Sequence, residues 1–68
     1  MPLDEYNPLD VGVAVRATGR DYSFDGWVVA AFFKRPRGRE KGLGPLRYVV
    51  QDSRGLLLIH SPRTLELR

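Results

Sequence analysis

Few side chains in this sequence are suited to reaction chemistry, and their types narrow the options quickly. There is no Cys and a single His, His60, so no thiol nucleophile exists and the usual structural zinc ligand sets are excluded. His60 ends the apolar run Leu56, Leu57, Leu58, Ile59, with no carboxylate beside it in sequence to orient its ring. The serines stand in turn-like surroundings, so nucleophilic catalysis is poorly supported and no catalytic residue is assigned. Asp21 and Asp25 flank an aromatic pair, but Gly19, Ser23 and Gly26 around them mark turn residues rather than an acid–base pair. Gly38, Gly42 and Gly44 resemble a phosphate loop only on the surface. They fit neither the Walker nor the dinucleotide spacing, and no helix follows to supply a dipole.

Charge is the clearer signal. Lys34, Arg35, Arg37, Arg39 and Lys41 place five cations within eight residues, offset only by Glu40, whereas Asp4, Glu5 and Asp10 make the start acidic; the net charge is +3. Lys and Arg contact phosphates with little geometric demand, so residues 34–41 are a candidate polyanion-binding segment. Tyr22, Phe24 and Trp27 are aromatics that can stack on bases, pack a core or face a partner.

The elements that would position these residues are short. Residues 1–10, with Pro2, Asn7 and Pro8, read as an extended arm that Tyr6 and Leu9 tack onto the domain formed by residues 11–68. Residues 11–16 alternate Val11, Val13 and Val15 with Gly12, Ala14 and Arg16, as a strand with one buried face does. A turn-rich loop at 17–26 leads to a second strand at 27–34, and a glycine- and proline-rich loop at 35–45 follows. Next comes a hairpin, 48–51 and 56–60 around Asp52, Ser53, Arg54 and Gly55. A single 3₁₀ turn at 61–64 and a last strand at Leu65–Leu67 complete the chain.

Five short strands without a helical period predict an all-β fold, a small antiparallel barrel in the strand order of SH3-like barrels. The strands at 27–34 and 56–60 are apolar on both faces, more than 68 residues can cover. That predicts a symmetric homo-oligomer. No apolar run approaches the ~20 residues of a membrane span, and the acidic start lacks the pattern of a signal peptide. A cytoplasmic protein with no membrane partner is expected.

Val15-Arg16, residues 24–29 (Phe-Asp-Gly-Trp-Val-Val), 47–51 (Arg-Tyr-Val-Val-Gln) and 55–66 resemble the plasmid-type (type B) dihydrofolate reductases. The resemblance implies SH3-like barrels assembled as a homotetramer, or at least a homodimer, around a central pore where NADPH meets dihydrofolate. It places Leu57, Leu58, Ile59 and His60 on the pore strand. Ile59 is the family's residue, while Leu58 stands where the family has Gln and His60 where it has Tyr. Arg16 and Arg20 stand in for a pore-mouth Lys, Phe24 corresponds to a Trp of the subunit interface, and Trp27 joins it there. The loop at 35–45 is longer than the family's, and the turn at 52–54 is shorter.

Leu58 cannot hydrogen-bond a pterin or nicotinamide amide, a loss of roughly 1–3 kcal/mol at each symmetry copy. The expectation is therefore an oligomeric pore that takes a nucleotide-like or folate-like ligand, with NADPH as the cofactor of any reaction, no metal, and dihydrofolate reduction disfavoured. Copies of His60 gathered near an axis would repel when protonated, which predicts an assembly most stable above about pH 7. The alternative is a non-enzymatic nucleic-acid- or protein-binding module that uses residues 34–41.

Overall fold

The alternating patterns resolve into five strands, β1 (Ala14–Thr18), β2 (Ser23–Phe33), β3 (Leu46–Asp52), β4 (Leu57–His60) and β5 (Leu65–Leu67), with one 3₁₀ turn at Pro62–Thr64. The computed structural model describes residues 3–4, 7–34 and 44–68. The fold is all-β and every strand pairing is antiparallel, in the order β4-β3-β2-β1-β5. No ladder joins β4 to β5, so the pairing is an open sheet and not the closed barrel expected from the strand order.

The hairpin forms where Asp52 and Gly55 predict it. Gly55 takes φ +87°, a left-handed backbone that costs little without a Cβ. Its N–H donates to the Asp52 carbonyl at 3.1 Å, and the Asp52 N–H donates to the Leu56 carbonyl at 3.0 Å. The Asp52 carboxylate accepts the N–H groups of Arg54 and Leu56 at 2.9 and 3.0 Å. A tight turn closed by a left-handed Gly fixes the register of β3 on β4, and Gln51 pairs with Leu57 and Tyr48 with His60.

Two strand starts, those of β1 and β2, differ most from the sequence reading. Gly12 takes φ +94° and its N–H donates to the Val28 carbonyl at 2.7 Å, so the chain turns there and β1 begins only at Ala14. Val11 is left 72% exposed, while Val15 and Ala17 are buried. The turn-rich loop is also shorter than residues 17–26. The chain reverses over four residues, closed by the Gly19 N–H on the Tyr22 carbonyl at 2.8 Å, and β2 starts at Ser23.

A β-bulge at Val29 decides which face each side chain of β2 takes. Val28 pairs with Val50 and Ala30 with Val49, so Val29 is the extra residue. Before the bulge the even positions Phe24, Gly26 and Val28 turn inward; after it, Ala31 and Phe33 do. Trp27, Ala30 and Phe32 are turned outward. The inner face holds Val15, Ala17, Val28, Leu46, Tyr48, Val50 and Leu65, joined at its margin by Leu3 and Leu9 of the arm. Leu9 is fixed by its N–H, which donates to the buried Tyr48 hydroxyl at 2.8 Å. Tyr6 lies outside the described residues.

Tyr48→Phe removes that acceptor and should cost about 1 kcal/mol of stability in urea denaturation, the worth of a typical hydrogen bond. The same variant should speed amide exchange at Leu9 far more than at Val50, because only the arm is released.

Candidate functional site

Strand alternation divides the residues expected at a pore between two surfaces. On β4, Leu57 and Ile59 point away from the core, 58% and 64% exposed, while Leu58 and His60 point inward. The four positions therefore do not share one surface of a single chain. Gln51 lies between Leu57 and Trp27, and Val49 lies between Ile59 and Ala30. Phe32 follows Ala30 on the same side. The result is an apolar band across three strands of the outer face, in which Trp27 and Phe32 are each 38% exposed.

Beside this band the outer face is charged, with Glu66 opposite Arg16 across the β1–β5 ladder. Arg16 Nε donates to Asp25 at 3.0 Å, and Arg68 reaches the other Asp25 oxygen at 3.4 Å. The Arg16 hydrogen bond holds the Asp25 carboxyl below its usual range, and Asp25 in turn raises Arg16. Arg20 is exposed in the turn before β2 and Lys34 is exposed just after it. Arg35, Arg37, Arg39 and Lys41 lie outside the described residues.

On the inner side His60 is enclosed by its own chain, with 6% exposure. Phe24 and Tyr22 stack with centroids 6.0 Å apart, and His60 meets each ring edge-on at 6.0 Å. Tyr22 Oη lies 3.1 Å from His60 Nε2, and His60 Nδ1 lies 2.9 Å from Thr64 Oγ1. Thr64 spends its one hydroxyl proton on the Ser61 carbonyl at 3.1 Å, so its oxygen accepts from His60. The imidazole is then the Nδ1–H tautomer, with Nε2 accepting from Tyr22. Burial lowers the His60 pKa below the ordinary His value. His60 is thus enclosed by partners of its own chain.

Next to this group, Tyr22, Phe24, Leu56 and Leu58 line a groove of about 260 Å³, with Asp52 and Arg54 also in its wall. Burial pushes the Asp52 carboxyl up, but the Leu56 and Arg54 N–H groups and the Arg54 guanidinium outweigh it, so the net shift is downward. Asp52 is thus a fixed turn anion, held by donors of its own hairpin.

Sequence reasoning missed Tyr22 and Thr64 as the partners of His60. Thr64 stands four residues on, and the Pro62 between them signals the 3₁₀ turn that brings it back. Tyr22 carried no such signal, because only the fold brings it across 38 positions. Among the described residues no three His, Cys, Asp or Glu gather as metal ligands, and no helix is long and apolar enough to cross a membrane. No protein-family model, curated protein or solved structure matches this chain.

A His whose folded pKa is depressed binds its proton more readily when unfolded. Stability should hold steady above about pH 6.5 and fall as pH drops below that value. Thermal denaturation followed from about pH 8 to 5.5 should show that fall, and His60→Gln should flatten it while lowering the starting midpoint.

Proposed function

We propose that the chain is the subunit of a symmetric homo-oligomer of SH3-like barrels in the type B reductase lineage, and that the assembly binds a flat, anionic ligand of the nucleotide or folate class. The observation that carries this reading is the outward apolar band of Trp27, Ala30, Phe32, Val49, Leu57 and Ile59. Contiguous exposed apolar surface of this kind marks an interaction site.

A second copy of the chain is the partner that suits it. The strip beside the band holds two cations and two anions, with Arg16 and Arg68 on Asp25 and Glu66 opposite Arg16 across the β1–β5 ladder, so two copies can meet face to face without a net charge opposing its own copy. An isologous contact of this kind sets the same patch on both subunits. Edge strand β4 supplies Leu57 and Ile59 to it, and its outer backbone edge is open to a neighbouring strand.

The ligand class follows from the resemblance of residues 55–66, with Ile59 at the family's position. The reading stops at binding. Leu58 is turned toward the aromatic groove, and it offers no hydrogen bond to an amide. NADPH and dihydrofolate are the probes of choice because each joins a flat ring to anionic groups.

Light scattering at neutral pH should give a mass that is a multiple of the single chain. Ile59→Glu puts a charge into the band at an exposed position, so it should yield a folded monomer with an unchanged far-ultraviolet spectrum. Titration calorimetry of the wild-type protein should show heat with NADPH or dihydrofolate; silence with both at millimolar concentration rejects the ligand reading, and a wild-type monomer rejects the assembly.

A further inference from the structure

Strand β4 stands at one edge of the sheet, and its backbone groups have a definite direction there. The Asp52 N–H donates to the Leu56 carbonyl at 3.0 Å, which sets the phase of the β3–β4 ladder. In an antiparallel pair, bonded and non-bonded positions alternate. Leu58 opposite Val50 and His60 opposite Tyr48 therefore turn their N–H and C=O groups toward β3. Leu57 and Ile59 turn theirs the other way, to the side where the order β4-β3-β2-β1-β5 places no strand. The side chains of the same two residues are 58% and 64% exposed.

The two edges of the sheet are unlike. At the other edge, β5 is only three residues long and has Glu66 at its middle, with Arg68 just beyond it. Charged side chains and a short run keep an edge from pairing with another chain. β4 reads Leu-Leu-Ile-His and carries no formal charge while His60 is neutral. An edge that is apolar and free of Pro and Lys is a template for a further strand.

A second copy of β4 fits that template in one register. Leu57 opposite the partner's Ile59, and Ile59 opposite the partner's Leu57, exchange every outward N–H and carbonyl of the two strands. Leu58 then faces the partner's Leu58 on a two-fold axis. A register centred on Ile59 would need the Ser61 carbonyl, which already accepts the Thr64 N–H and hydroxyl, both at 3.1 Å. One centred on Leu57 would need Gly55, whose φ of +87° belongs to the turn and not to a strand. The two-fold axis is perpendicular to the sheet, so the outer faces of both copies stay on the same side. The row Trp27, Gln51, Leu57 then continues into Ile59, Val49 and Ala30 of the partner subunit.

We infer that β4 is a self-pairing edge, and that two copies of the chain join there into one continuous antiparallel sheet centred on Leu58. This rests on the reading of the chain as a subunit of a homo-oligomer and supplies the contact that reading leaves open. It is a different contact from the face-to-face one. Two isologous contacts of this kind close a tetramer, in which the doubled apolar band is covered by a second pair.

Amide hydrogen exchange, read beside light scattering at neutral pH, tests the inference. In a single chain the Leu57 and Ile59 amides face solvent; in the paired edge they should exchange at least ten-fold more slowly. Ile59→Pro removes one outward N–H and spares the ladder to β3, so it should dissociate the pair and remove the protection at Leu57. Leu58→Cys supplies an independent reading, because the wild-type chain has no Cys. Non-bonded partners in an antiparallel pair have Cα atoms about 4.5 Å apart, within reach of a disulfide. That variant should therefore oxidise to a linked dimer at least ten-fold faster than Val11→Cys, which is exposed and distant from β4 in the sheet. Circular dichroism establishes that each variant is folded. A wild-type oligomer with unprotected Leu57 and Ile59 amides, or with Leu58→Cys no faster than Val11→Cys, overturns the edge pairing and leaves the assembly standing. A wild-type monomer rejects both.

Discussion

The extra residue at Val29 is the constraint on which the two faces of this protein depend. A strand alternates its side chains with period two, so one inserted residue exchanges the faces of everything that follows. Ala31 and Phe33 thereby join the core that Val28 began, and Trp27 and Phe32 are left together on the outside. Without the bulge, β2 would bury Phe32 and expose Phe33. The outer band would then lose the aromatic that stands next to Arg47.

The β3–β4 hairpin transmits that choice to β4. Asp52 is nearly inaccessible and satisfied by backbone donors of its own turn, so the register is held by charge-assisted hydrogen bonds as well as by Gly55. A slip of one residue would carry Leu57 and Ile59 inward and His60 out. His60 is bound against such a slip from both ring nitrogens, by Tyr22 and Thr64. The hydrogen bonds run in one direction, from the Tyr22 phenol through the imidazole and the Thr64 hydroxyl to the Ser61 carbonyl. They tie the start of β2 to the 3₁₀ turn on the inner side of the sheet.

The outer face is divided by chemistry. Toward β1 and β5 the two cations Arg16 and Arg68 meet the two anions Asp25 and Glu66, in the centre lies the apolar band, and at the far end of β3 and β4 Arg47, Ser61 and Arg63 line a groove. Lys34 has its backbone bonded to Gly44 and Pro45 beside that groove.

Local information in the sequence was enough for the all-β class, the hairpin around Asp52 and Gly55, the 3₁₀ turn at Pro62 and the last strand. Each depends on residues a few positions apart, whose turn chemistry or alternation is written in order. The alternation of β4 was also legible, including the pairing of Leu58 with His60 on one side and Leu57 with Ile59 on the other. The start of β1 was not, because Gly12 turns the chain through a bond to Val28, far along the sequence. The phase of β2 was hidden for a different reason: residues 27–33 are apolar at nearly every position, so no periodicity marks the bulge. Tertiary structure alone decided that His60 is enclosed by Tyr22 and Phe24, and that Arg47, Ser61 and Arg63 share one groove. Both arrangements join residues from separate elements, and only the antiparallel ladders bring those side chains within reach.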